Sequence, residues 1–148
     1  VTKLLLSMHV IAAILAVGPI AVAASMFPRF ARQAVDDQER SAAIAAVLHR
    51  ICRGYAVFGI AVPVFGVATG AQLGVLTDAW LLVSIALTAV AAAILALVIL
   101  PAQRRLLDEP REMLGAVGRL AMITGVFNVL WAIVVVLMIV RPGSTTGA

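Results

Sequence analysis

Four stretches of this chain carry no formally charged side chain and are each long enough to cross a lipid bilayer: Leu4 to Phe27, Gly54 to Leu76, Ala79 to Leu100 and Leu120 to Val140. The first has 24 residues. At about 1.5 Å per residue a helix of that length reaches about 36 Å, against about 30 Å of bilayer hydrocarbon. In lipid a backbone cannot borrow hydrogen bonds from water, so runs of this kind fold as helices. The expected fold is all-α: one membrane domain over residues 1–148, with four transmembrane helices in an antiparallel bundle.

Composition closes the soluble alternative. The chain is 64% hydrophobic and 12% charged, where a soluble domain is about 45–50% apolar and about a quarter charged. The net charge of +4 would point to nucleic acid in a soluble chain. Here the arginines stand at the ends of apolar runs, where membrane flanks and anionic headgroups explain them. The expected partner is the lipid bilayer, not nucleic acid. The single Cys52 excludes an internal disulfide and any paired-cysteine metal motif.

Two polar breaks set the topology. Residues 28–53 hold Arg29, Arg32, Arg40, Arg50 and Arg53, and residues 101–119 hold Arg104, Arg105, Arg111 and Arg119. The opposite side has only Lys3 and Arg141. The positive-inside rule therefore places both breaks in the cytoplasm and both termini outside a plasma (inner) membrane. Asp36 and Glu39 are spaced like a capping box. A helix starting there would run from Asp37 to Ala71, about 52 Å, and project past the bilayer as a cytoplasmic extension. Ala21-Val22-Ala23 has the form of a signal-peptidase site. The run is expected to remain a mature helix, because cleavage would still leave five arginines to place directly after it.

Prolines and glycines punctuate the helices. Gly18-Pro19 predicts a kink or weakened hydrogen bonding in the first helix, and Pro101 an end or kink after the third. Pro63 lies among Gly59, Gly66 and Gly70, of which Gly66 and Gly70 form a GxxxG pair suited to close helix packing. A hinge is the alternative reading of that cluster. Thr77 is a candidate N-cap, and Asp108 with Pro110 reads as a further helix start. Each half of the chain runs helix, proline, arginines, acidic cluster, arginine, helix. Arg50 and Arg119 stand 69 residues apart, as do Val57-Phe58 and Val126-Phe127, the pattern of a tandem helical hairpin.

The runs contain no Asp, Glu, Lys or Arg, so the intramembrane carboxylate or base that proton and cation pathways use is missing. His9 is the candidate that remains. It can hydrogen-bond a neighbouring helix or headgroup, ligate haem or copper beside Met8, or touch a quinone or partner subunit. His49, next to Arg50, reads as a surface or interface residue at the other side of the bilayer. Asn128 is placed for an interhelical hydrogen bond. Cys52, between Arg50 and Arg53, is either filler or a thiol whose pKa those charges lower. No GxSxG, P-loop, HExxH or CxxC pattern occurs, so catalysis has no visible constellation.

Met8 to Arg32 (MHVIAAILAVGPIAVAASMFPRFAR) resembles a broad group of small, uncharacterised bacterial membrane proteins of actinobacterial appearance. They open on a helix with an early His-Val, a central small-residue kink and an arginine past the membrane. More distantly, the layout is similar to the four-helix units of copper-resistance D-type proteins and of the small membrane protoporphyrinogen oxidase. That resemblance implies haem at His9. The later intramembrane basic residue of those relatives has no counterpart here. Two function classes follow. One is a non-catalytic or accessory subunit, packing on itself as a homo-oligomer or in a larger membrane complex such as a respiratory assembly. The other is a haem- or metal-binding redox protein using His9.

Overall fold

The computed structural model describes residues 1–36 and 38–144. Among them every regular element is helical: α1 (Thr2–Gln33), α2 (Gln38–Phe58), α3 (Ala61–Leu73), α4 (Ala79–Ile94), a π-helical turn (Leu95–Ile99), α5 (Leu100–Asp108), a 3-10 turn (Leu114–Ala116) and α6 (Val117–Val140). Joined where they run on, these give four helices long and apolar enough to cross a membrane: Thr2–Gln33, Glu39–Leu73, Ala79–Asp108 and Leu114–Val140. The expected start of α2 at Asp37 lies outside the described residues.

The prolines are absorbed in three ways. α1 is continuous through Pro19 and Pro28. Pro63 has no N–H to offer the carbonyl one turn earlier, that of Gly59. The chain opens there instead, and Gly59 O accepts from Val62 N at 3.1 Å. The break separating α2 from α3 thus falls a turn ahead of the proline that causes it. Pro101 neither ends nor interrupts its helix. The preceding turn widens to π geometry, with Leu100 N donating to Leu95 O, and the helix continues to Asp108. A π turn makes room for the ring where a tighter α turn would clash with it.

Two expected helix starts lie elsewhere. Asp78, not Thr77, occupies the N-cap of α4, and its carboxylate accepts from Trp80 Nε1 rather than from the backbone. Asp108 ends α5 instead of opening a helix. Glu109, forced out of helical geometry by the following Pro110, adopts φ −133° and ψ 64°. At the far end of α3, Gly74 takes φ 70°, a left-handed turn that a side chain would strain. Val75 N then bonds Gly70 O, the capping pattern that ends a helix and tucks the next apolar residue inward.

The core is uneven. At the arginine end a continuous cluster joins Phe27, Cys52, Ile99, Leu106, Val117 and Phe127, all nearly inaccessible. At the end holding the termini the corresponding cluster is only Val75, Trp80 and Leu81, with Met138 against it. Less than a third of each long helix's most apolar window is buried, 28% at most and 17% at least. Side chains such as Leu97, Phe58 and Ile139 point away from the protein. So much outward apolar surface is tolerable only against lipid or another protein.

Candidate functional site

The thin packing at the termini end leaves a cleft, and His9 lies in its wall. His9 is buried, on the face of α1 that meets α3. Its Nδ1 stands 2.8 Å from the carbonyl oxygen of Val62. A carbonyl can only accept, so Nδ1 carries the proton, and a neutral ring then has its lone pair at Nε2. Nε2 has no hydrogen-bond partner among the described residues.

Glycine makes this approach possible. A Cβ at Gly66 would lie 2.9 Å from His9 Cε1 and 3.1 Å from Nδ1. One turn on, a Cβ at Gly70 would meet the side chains of Leu81 at 2.9 Å and Leu76 at 3.2 Å. The GxxxG pair therefore admits an imidazole at one step and, at the next, leucines from α4 and the turn before it. Gly59 has a different surrounding. The nearest atoms to a Cβ there would be the backbone carbonyls of Ala56 at 3.2 Å and Tyr55 at 3.4 Å, and it marks the break before α3.

Two hollows that share wall residues flank the imidazole. One, of about 420 Å³, runs from His9 along Val10, Leu73 and Leu81 to Trp80 and Arg141. The other, of about 320 Å³, runs past Pro63, Thr88 and Trp131. Both volumes fall in the usual range of small-molecule sites, about 300–1,000 Å³. Their walls are almost wholly apolar, with His9 common to both. Met8 is exposed and lines neither hollow. No group of three or more His, Cys, Asp or Glu able to hold a metal occurs among the described residues.

His49 is in a separate cluster at the arginine end. Its Nδ1 and Gln103 Oε1 are 2.9 Å apart, and Gln103 Nε2 points at Cys52 Sγ at 3.7 Å. Gln103 is completely buried. Sequence reading passes over it because it opens a polar break; the signal available was its position one turn from the buried Ile99. Of the two readings of Cys52, the packing fits the buried filler. Its thiol is pushed up by burial, not lowered by Arg50 and Arg53; the amide of Gln103 pulls the other way but does not prevail. The helical period turns Cys52 inward with Ala45 and Leu48 while both arginines face outward.

The remaining sites are simpler. Arg29, Arg32, Arg50, Arg53, Arg104, Arg105 and Arg119 are all exposed, with Arg29 resting over the Phe30 ring at 5.9 Å. Asn128 Nδ2 donates to Ser25 Oγ of α1 at 2.9 Å. Asn128 Oδ1, Thr124 Oγ1 and Trp131 Nε1 are buried with no hydrogen-bond partner among the described residues, on one stripe of α6 at four- and three-residue spacing. No protein-family model, curated protein or solved structure matches this chain.

Proposed function

We propose that this chain is a small multi-pass membrane protein of the plasma (inner) membrane, an antiparallel four-helix bundle with both termini outside and the arginine-bearing connections in the cytoplasm. It works without a catalytic constellation, as a binding or accessory subunit that holds a lipid-soluble small molecule against His9. One observation carries this reading. The imidazole is fixed by Val62 O through Nδ1, while Nε2 has no partner among the described residues at the wall of an apolar cleft. A lone pair held in apolar surroundings favours a ligand that brings its own donor or an electrophilic metal centre. Assembly with itself or within a larger complex, a respiratory one included, is part of the same proposal. It draws support from the outward apolar faces and from open space around Gly18, Gly118 and Gly125.

The second reading is haem or metal binding through His9. It is favoured by the same Nδ1–H bond, because metal-ligating histidines commonly donate their other ring nitrogen to a carbonyl. One preparation tests both. The protein is purified in mild detergent beside His9→Leu, its organic extract analysed and its absorbance recorded. A colourless protein carrying an organic molecule that the variant lacks supports the first reading. A Soret band lost in the variant moves the conclusion to the second. Identical extracts and no chromophore in either protein overturn both.

A further inference from the structure

The cleft beside His9 also carries one cation. Arg141 follows the last turn of α6 and is half-buried at the wall of the larger hollow. Its backbone has φ 48° and ψ 62°, a left-handed conformation uncommon for any residue but glycine. The side chain folds back: Nε donates to Met138 O at 3.3 Å, and the guanidinium lies over the Trp80 ring, 5.5 Å from its centroid. The nearest acidic side chain in this group, Asp78, accepts from Trp80 Nε1 at 3.1 Å. Among the described residues no carboxylate lies within ion-pair distance of Arg141, and its terminal Nη groups make no hydrogen bond.

An oriented guanidinium with free donors, beside an apolar hollow, is complementary to a molecule with an anionic head and a hydrocarbon tail. The hollow also opens sideways. Val10, Ile14, Val135 and Ile139 line it and are themselves exposed on the outer surface of the bundle. A chain can therefore enter laterally from the bilayer while its head stays level with the helix end. Guanidinium geometry matches phosphate oxygens two at a time.

We propose that Arg141 and the adjoining cleft bind one anionic phospholipid, its phosphate on the guanidinium and one acyl chain in the hollow that leads to His9. This rests on the reading that the helices cross a bilayer and that the cleft receives a lipid-soluble molecule. The lipid occupies the end of the cleft away from the arginine-rich connections, so its headgroup selectivity depends on Arg141 and not on that basic face.

The test uses the full chain in a neutral detergent, with phosphatidylglycerol and phosphatidylcholine of matched acyl chains, read by native mass spectrometry and thermal unfolding. The expected result is one phosphatidylglycerol retained with a preference of about tenfold or more, as a charge-assisted contact gives. Arg141→Gln should erase the preference, Arg141→Lys should keep part of it, and Arg104→Gln should leave it intact. Val135→Trp, which fills the hollow, should lower retention of both lipids. The proposal is overturned by equal retention of the two lipids, by a preference that survives Arg141→Gln or disappears in Arg104→Gln, or by inorganic phosphate alone matching the stabilisation. A His9-dependent ligand found without any phosphatidylglycerol preference leaves the reading of His9 standing and overturns this one.

Discussion

Alanine at position 66 tests how the His9 site is held together. The new Cβ would lie 2.9 Å from His9 Cε1, nearer than two carbons pack. Relief comes in one of two ways. The ring can swing towards the hollow and lose its bond to Val62 O, worth about 0.6 kcal/mol on average and up to about 1.7 between membrane helices. Otherwise the backbones part, and overpacking costs about 1–3 kcal/mol. Against either, alanine regains about 1 kcal/mol over glycine within a helix. Gly66→Ala should therefore destabilise by between roughly zero and 2 kcal/mol when His9 is present. In a His9→Ala background only the gain remains, and the same change should stabilise by about 1 kcal/mol. The coupling between the two positions, about 0.6–3 kcal/mol, is the diagnostic quantity. Reversible unfolding in mixed micelles of the four proteins of the cycle measures it. Gly125→Ala, with nothing within 4 Å of its Cβ, is the control and should be indifferent to His9. Coupling below about 0.5 kcal/mol, the ordinary scatter of independent sites, would refute a Gly66-dependent seat for the imidazole.

Three further outcomes are expected. Cys52, buried and with its thiol pKa raised by burial, should resist maleimide at neutral pH in the folded protein. It should react more readily as pH rises, because a raised pKa defers the thiolate to higher pH; full labelling at neutral pH without denaturant would contradict its placement. Gln103→Leu should lower stability by about 1–3 kcal/mol by leaving His49 Nδ1 without its acceptor, and thermal unfolding that is unchanged would show that water satisfies His49 instead. In a Cys52→Ala background, Ser144→Cys should label from outside intact cells and Glu112→Cys should not, and the reverse pattern would invert the topology.

Gly66 also shows where sequence reading stops. The Gly66/Gly70 spacing is visible in the chain and announces a close approach, but nothing in it says that the approaching group at Gly66 is an imidazole. His9 and Val62 are 53 positions apart, and their meeting depends on how α1 and α3 rotate against each other. Cys52 shows the same limit in electrostatics. Its sequence neighbours are Arg50 and Arg53, yet in a helix adjacent residues point in different directions, so its surroundings are Gln103 and the core. The prolines show it in the backbone. A missing N–H can be read at once, but whether the helix opens, as before Pro63, widens, as before Pro101, or runs on, as at Pro19, is decided by what packs around it.

What the sequence by itself determined is one-dimensional: helices as the only regular structure, four apolar runs of bilayer length, and arginines gathered mainly in two connections. Nine of the ten arginines lie in those connections, and Arg141 is the exception. Hydrophobic length and the placement of charge are properties of contiguous residues, so they can be counted along the chain. The tertiary structure alone decided that packing is dense at the arginine end and thin at the other. It decided that the resulting hollow is walled by His9 and Arg141, and that Gln103 is buried between Cys52 and His49. Those facts depend on which faces meet across 50 or more residues, and hydrophobicity in lipid does not choose between apolar faces. Close fits, such as glycine under an imidazole, do.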